Sequence, residues 1–183
     1  MQTLQGIRFL PVARVDGTWF GLDARWFGVR GLGLLLLLVL ASPAGPLSAT
    51  EAIPWWARAG IGLATVAALV LTTLGHELGH AIVGRLSGIA VRAVVVAPQG
   101  GMTIRGACDQ PALDFRTALA GPFANAILGT LCLCLAVSVG PPDNLMRSVF
   151  IYAAALQLIT AIANLLPYGP MDGQRILAAW REL

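Results

Sequence analysis

Two histidines and the glutamate beside them have the spacing that suits metal chemistry. His76 and His80 are the only histidines in the chain, and Glu77 directly follows the first. On an α-helix, residues i and i+4 leave nearly the same face, so both imidazoles can hold one ion. Zinc suits neutral imidazole and leaves a coordination position open for water, on which a nearby glutamate can act. The sequence therefore predicts one Zn²⁺ per chain, with His76 and His80 as ligands.

The helix that carries these residues is predicted to lie in a membrane. An apolar run from about Gly60 to Leu86 surrounds the three polar groups. The whole chain is 57% hydrophobic and 11% charged, with a mean hydropathy of +0.76, which is outside the range of soluble domains. An ionisable side chain at bilayer depth costs about 2.5–3.5 kcal/mol on insertion scales. Three such groups in one span therefore indicate a function.

The remaining apolar segments predict an all-α polytopic membrane protein with about four transmembrane helices. A span needs about 20 apolar residues to cross the bilayer core. We predict an N-terminal segment that includes the first span (residues 1–56) and a membrane core (residues 57–183). The predicted spans are about Gly28–Ala41, Gly60–Leu86, Thr117–Val139 and Leu145–Leu166.

The arginines predict the orientation. All twelve basic residues are arginine, and ten of them lie in the termini, in the loop between the second and third spans, or at the span ends that adjoin these segments. The positive-inside rule then places both termini and this loop in the cytoplasm. Arg58 and Arg147 are the two on the other side. The formal charge of +3 follows from this bias and needs no nucleic-acid partner. Residues 1–26 lack the pattern of a signal peptide, so we expect the first span to be retained.

A third zinc ligand is expected where the fourth span ends. The second and fourth spans run in the same direction, so Asp172 emerges at the face and depth of the two histidines. Pro167 and Pro170 break the helix there, and Gly173 permits a sharp turn. Irregular backbone at membrane depth is tolerated when it is buried or lines a wet cavity. The alternative to a zinc ligand is that the helix ends at these prolines and is followed by an aspartate at the membrane interface.

Three motifs together resemble the site-2 protease family of intramembrane zinc metalloproteases. They are HELGH (76–80), GPFAN (121–125) and NLLPYGPMDGQR (164–175). The resemblance implies a three-helix catalytic core, zinc held by His76, His80 and Asp172, and Glu77 as general base. It also implies hydrolysis of a peptide bond in or near the transmembrane helix of a single-span protein. No PDZ-like insertion or C-terminal nucleotide-sensing module is visible, so the chain is expected to be a minimal form. We expect a separate membrane protein to regulate it. A bacterial cell membrane is the expected location, with the active site open to the cytoplasm.

Four further residues are candidates for holding the substrate or the oxyanion. The family resemblance suggests that Asn125 or Asn164 donates a hydrogen bond there, whereas interhelical bonding is the alternative for both. Residues 91–105 predict a hairpin, with strands at Val94–Val96 and Met102–Ile104 and Gly100 and Gly101 at the turn. In the family, a comparable segment folds back into the membrane beside the active site, where a free edge could receive the unwound substrate. An ordinary cytoplasmic hairpin is the other interpretation.

Two other functions remain open at this stage. A catalytically idle scaffold of the same fold would bind helices without cleaving them, although such a protein needs no glutamate at Glu77. A zinc or proton carrier would use the same ligands as a transit site, but carriers usually have repeated halves and polar groups spread through the membrane depth. This chain has one polar cluster and no repeat. The sequence therefore favours the protease.

Overall fold

The computed structural model of the protein describes residues 1–28, 55–97, 100–139 and 145–183. The first predicted span, about Gly28–Ala41, lies outside the described residues apart from Gly28. The segments that join the predicted spans on the outer side, 42–58 and 140–144, lie wholly or largely outside them as well.

Three described helices are long and apolar enough to cross a membrane. They are α1 (Trp55–Leu86), α2 (Pro111–Ser138) and α3 (Leu145–Asn164). Each corresponds to one of the predicted spans, but α2 begins earlier because the polar turn before Thr117 is already helical. The described part of the chain thus supplies three of the four predicted spans.

Helix α2 packs between α1 and α3, and small residues let the backbones approach closely. A methyl group added at Gly79 of α1 would lie 2.5 Å from the Ala120 carbonyl oxygen and 2.8 Å from the Ala124 methyl group. Gly129 of α2 similarly faces Leu158 of α3. Close contact through small residues is the usual way in which helices associate in lipid. It brings the α1 histidines directly against α2.

A five-stranded sheet packs against the C-terminal half of α1, so the prediction of an all-α fold was too narrow. The strand order is β1-β2-β3-β4-β5, and every neighbouring pair is antiparallel except β3 and β4, which are parallel. The N-terminal strands therefore belong to the same sheet as the strands between α1 and α2. The strands are β1 (Gln2–Leu4), β2 (Ile7–Val15), β3 (Thr18–Asp23), β4 (Val91–Ala97) and β5 (Gly100–Arg105).

Two tight turns form the N-terminal part of this sheet. Gln5-Gly6 and Asp16-Gly17 all have positive φ, between 46° and 80°. Two consecutive positive φ angles match the twist of a two-residue hairpin, and Asp-Gly is a preferred pair for that turn. One face of the sheet buries Phe9, Ala93, Val95 and Ile104. The opposite face places Val94 against Ala81 of α1, so the sheet is anchored to the helix that carries the histidines.

Strands β4 and β5 lie where the hairpin was predicted. Val94 pairs with Thr103 and Val96 with Gly101. Strand β4 is buried between β3 and β5, whereas β5 is the last strand of the sheet and has one edge unpaired within the described residues. How this pair of strands sits relative to the membrane remains a prediction.

A fourth helix, α4 (Asp172–Arg181), was not predicted. It follows the irregular segment after α3 and packs against the beginning of α2. Gly173 lies so close to the Leu165 and Leu166 carbonyls that any side chain would collide with them. This tight return of the chain fixes Asp172 at the first position of α4.

Candidate metal centre and active site

His76, His80 and Asp172 form a buried cluster. The Nε2 atom of His76 lies 2.8 Å from Asp172 Oδ2 and 3.1 Å from the Nε2 atom of His80. The His80 Nε2 atom is also 3.1 Å from the same carboxylate oxygen. Each residue is less than 10% exposed. Three candidate ligand atoms from two separate segments, α1 and the start of α4, thus converge on one point.

A main-chain carbonyl orients the ring of His80. Its Nδ1 atom lies 2.7 Å from the carbonyl oxygen of Thr117, in the first half of α2. A carbonyl accepts hydrogen bonds only, so it holds the ring proton on Nδ1 and leaves Nε2 free for a metal. A histidine that binds zinc commonly has such a partner on its other nitrogen.

Asn125 plays the corresponding part for His76. Its side chain is fully buried, and its amide group lies 3.3 Å from His76 Nδ1. The amide oxygen is buried and has no hydrogen-bond partner among the described residues. The two ends of an amide have the same shape, and rotating the group by about 180° puts the oxygen on His76 Nδ1. In that orientation the oxygen accepts the ring proton, and Nε2 of His76 is free for a metal.

Gly121 makes room for both imidazole rings. A methyl group at this position would lie 2.7 Å from His76 Nε2 and would collide with the His80 ring. The next residue, Pro122, cannot donate the helical hydrogen bond to Ala118 and is itself fully buried. The GPFAN motif therefore shapes the surface of α2 against which the two histidines pack.

An ionic network supports Asp172 from outside the cluster. Arg175, one turn along α4, lies 3.7 Å from Asp172 Oδ1 and 2.9 Å from Asp114 Oδ1. Arg105 of β5 pairs with the same Asp114 oxygen. Burial alone would raise the pKa of Asp172, but the imidazoles of His76 and His80 beside its carboxyl group outweigh burial and hold the pKa below its usual range. Asp172 is therefore a carboxylate, which is the form that binds a metal.

Glu77 lies on the β5 side of the cluster. Its side chain is 6% exposed, and the Thr103 hydroxyl group donates to its Oε2 atom at 2.6 Å. The other oxygen, Oε1, faces Gly101, where an added methyl group would lie 2.7 Å from it. Glycine at position 101 therefore leaves space around the carboxylate of Glu77.

The cluster opens into a cavity of about 620 Å³ between α1, α3 and β5. Asn164, Gly100 and Gly101 line this cavity with the ligands, whereas Asn125 does not. The Asn164 amide donates to the Thr160 carbonyl oxygen at 2.9 Å. Gly100 has a φ of 137°, a conformation that favours glycine. Of the four further candidates, three thus line the cavity, and Asn125 contacts His76 instead.

Sequence reasoning missed several residues of this site. Thr103 lies two positions after Gly101, which was a candidate for holding the substrate. Because side chains alternate along a strand, both residues would be expected on one face. Trp26, just before the first predicted span, also lines the cavity and donates to the Val96 carbonyl oxygen at 3.2 Å. Nothing local in the sequence links Asp114 to Arg175, because 61 positions separate them.

The residues fit a zinc ion. A tetrahedral zinc with bonds of about 2.0–2.1 Å keeps its ligands roughly 3.3 Å apart, which is close to the separations in the cluster. Two imidazoles and a carboxylate are ligands that zinc prefers. The buried amide oxygen of Asn125, to which no described residue donates, fits this arrangement, because rotation of the amide lets it accept from His76 Nδ1 while Nε2 binds a metal. Three protein ligands leave a fourth position for water or substrate.

Comparison with known proteins identifies related chains. The family model described as Peptidase M50B-like matches residues 52–168, which contain the two histidines and the GPFAN motif. The zinc metalloprotease homologue Rip3 of Mycobacterium tuberculosis is 31% identical over 178 residues. That alignment covers 94% of this chain and 44% of Rip3.

Two further comparisons extend this pattern. A zinc metalloprotease homologue of Synechocystis is 28% identical, with 92% of this chain and 43% of that protein aligned. The solved structure of the site-2 protease from Methanocaldococcus jannaschii superposes with a TM-score of 0.63 and 23% identity. It covers 96% of this chain and 72% of the archaeal chain, which establishes a shared fold. The chain spans less than half the length of the mycobacterial and cyanobacterial relatives.

Proposed function

Because the chain belongs to the M50B-like, site-2 protease family of zinc metalloproteases, we propose that it hydrolyses a peptide bond within or near a transmembrane helix. The substrate class that we propose is a single-span membrane protein. The observation that carries this proposal is the buried His76–His80–Asp172 cluster with Glu77 beside it, at the wall of a cavity between membrane helices.

The residues of the site suit peptide hydrolysis. His76, His80 and Asp172 would hold the zinc ion, which when bound would activate a water molecule and polarise the scissile carbonyl. Glu77 would take the proton of the attacking water and pass it to the leaving amine. Asn125 and the Thr117 carbonyl would keep both imidazoles in the orientation that the metal requires. Asn164 is the side chain in the cavity best suited to donate to the substrate backbone.

The free edge of β5 is the proposed binding site for the substrate chain. A helix hides its own peptide bonds, so the substrate must unwind before it can be cut, and an extended segment needs partners for its backbone groups. Strand β5 offers an unpaired edge, and Gly100, Gly101 and Thr103 line the same cavity as the metal ligands. Addition of a strand to this edge would supply those partners.

The orientation that we propose places the cavity on the cytoplasmic side. The N-terminal strands share one sheet with the loop between α1 and α2, and α4 begins at the metal cluster. The arginine-bearing segments therefore lie at the same end of the helices, as the positive-inside rule requires. In a cysteine-free background, a cysteine at Asp109 should resist an external thiol reagent, whereas one at Ser48 or Asp143 should react. External labelling at position 109 would reverse the orientation.

Accumulation of uncleaved substrates tests the proposed reaction. Cells that produce the Glu77→Gln protein should accumulate single-span membrane proteins that cells with the wild-type chain cleave, as measured by quantitative proteomics of membranes. The glutamine keeps the shape of Glu77 but cannot accept the proton. Cleavage of a purified single-span substrate should likewise disappear in this variant while zinc stays bound.

A matched control and a contrary outcome complete the experiment. Thr130→Val alters an exposed face of α2 and should leave the membrane proteome unchanged. Equal hydrolysis by the wild-type and Glu77→Gln proteins would exclude Glu77 as the base. Intact substrates with both proteins, despite full zinc occupancy, would instead favour an idle scaffold of the same fold.

A further inference from the structure

We infer that Thr103 is a positioning residue for the general base and that it makes β5 part of the catalytic machinery. This inference rests on the proposed function, because it assigns Thr103 a task in the same reaction. Strand β5 would then do more than bind the substrate chain, since one of its side chains would set the orientation of the Glu77 carboxylate.

The first observation is the contact itself. The Thr103 hydroxyl group lies 2.6 Å from Glu77 Oε2 and 3.1 Å from the main-chain carbonyl oxygen of Glu77. Among the described residues, Thr103 is the one side chain that donates a hydrogen bond to this carboxylate. A donor that reaches both the head group and the backbone of one residue restricts rotation of the side chain between them.

The second observation is that the two carboxylate oxygens of Glu77 have different surroundings. Thr103 holds Oε2, whereas Oε1 lies beside Gly101, which has no side chain to cover it. A carboxylate with one oxygen engaged presents the other as the proton acceptor. The hydroxyl group would thereby select Oε1 as the oxygen that faces the water.

The third observation is the alternation along β5. Gly101 and Thr103 are two positions apart and both meet Glu77, so they lie on the same face of the strand. Ile104 points the opposite way, into the sheet core with Phe9 and Val95. Because the sheet core fixes Ile104, it also fixes the face that Thr103 presents to Glu77. The N-terminal strands therefore support the orientation of the base through β5.

The kinetic consequence is specific to turnover. The loss of a hydrogen bond to a charged group corresponds to about a ten- to a hundredfold change in a rate constant. A disoriented base slows proton transfer but leaves the strand edge intact, so kcat should fall by this amount while KM changes little. A role confined to folding or to substrate binding would alter KM, or the yield of folded protein, instead.

The experiment compares Thr103→Val with Thr103→Ser in the full zinc-loaded chain. Valine keeps the branched shape but removes the donor, whereas serine keeps the donor. We expect Thr103→Val to reduce kcat about ten- to a hundredfold, Thr103→Ser to restore most of it, and both to retain zinc. Thr130→Val is the matched control, because it removes a threonine hydroxyl on an exposed face of α2.

A second measurement does not depend on activity. The chain has three glutamates, Glu51, Glu77 and Glu182, so selective ¹³C labelling of glutamate carboxyl groups gives three signals, and Glu77→Gln assigns the relevant one. The Glu77 signal should move in Thr103→Val and return in Thr103→Ser.

The two readouts separate the inference from the proposed function. An unmoved Glu77 signal, or an unchanged kcat in Thr103→Val while the wild-type protein cleaves, would overturn the role of Thr103. Absence of cleavage by the wild-type protein would overturn the proposed function, and the carboxyl signal would still decide whether Thr103 binds Glu77.

Discussion

The two sides of the candidate site differ in how they are built. On the helix side, α1 and α2 hold the histidines through contacts that are all buried: the Thr117 carbonyl on His80, the Asn125 amide on His76 and Gly121 beneath both rings. On the strand side, β5 presents an open edge, an adjoining cavity and a hydroxyl group on Glu77. The helix side is suited to hold a metal ion, and the strand side to receive and turn over a substrate. Metal binding and turnover should therefore be separable by mutation.

The largest effect should come from the ligands themselves. Replacing His76, His80 or Asp172 with alanine removes one of three protein ligands, so purified protein should lose most of its zinc. Elemental analysis against protein concentration measures the occupancy. Full zinc retention in all three variants would refute the assignment. Thr103→Val, on the strand side, should retain the wild-type zinc content.

A smaller effect on the same side is expected from Asn125→Ala. This change removes the partner of His76 Nδ1 without touching a ligand, and loss of such a partner typically weakens metal binding by about 10–100-fold. Competition with a calibrated zinc chelator measures the affinity. Asn164→Ala is the matched control, since it removes an amide that lines the cavity and should leave zinc affinity unchanged. Equal affinities for the wild-type and Asn125→Ala proteins would leave Asn125 as an interhelical contact only.

The smallest effects should come from single hydrogen bonds on the strand side. A series of extended peptide substrates, each with one N-methyl group, deletes one main-chain donor at a time. If the peptide adds to β5, alternate positions should weaken binding by roughly two- to tenfold, the range for one net hydrogen bond of about 0.5–1.5 kcal/mol, and the positions between should be nearly neutral. Inhibition constants provide the measurement. A smooth, non-alternating profile would contradict strand addition.

Mutations in β4 would not test strand addition, because β4 is a central strand of the sheet and has no free edge. A proline placed in the Val94–Val96 strand, for example, would not test the free edge. That strand is central, with β3 on one side and β5 on the other, so proline there would break the sheet. Likewise, Gly101→Val would collide with Glu77 and could not report on the turn alone. Gly100→Val is the cleaner change, since position 100 has the positive φ and an added methyl group meets no described residue within 4 Å.

The sequence predicted the parts of this molecule that depend on local pattern. Apolar runs located the three described spans, and the i, i+4 spacing placed His76 and His80 on one face of a helix. Asp172 could be brought to them because two spans of similar direction end at the same side. Glu77 was a candidate because of its place between the histidines, whereas the one sequence signal for Thr103 is the strand alternation that puts it on the same face as Gly101.

The remainder depends on pairing between distant segments. The parallel contact of β3 with β4 joins residues more than 70 positions apart, and no local pattern specifies it. The N-terminal hairpin did leave a signal, since Asp16-Gly17 lies between two stretches of β-forming residues. Helix α4 is short and polar, so a search for membrane spans passed over it. The contact of Asn125 with His76 depends on how α2 packs against α1, and the spacing of the motifs does not specify that packing.

The open edge of β5 has a consequence for where cuts could fall along one substrate. Successive carbonyl groups of an extended chain point in opposite directions, so only every second peptide bond of a bound strand would turn its oxygen toward the metal. A substrate that slides along the edge recovers the same pairing only after moving two residues. Secondary scission sites should therefore be offset from the main one by an even number of residues, leaving a ladder of fragments with a two-residue step.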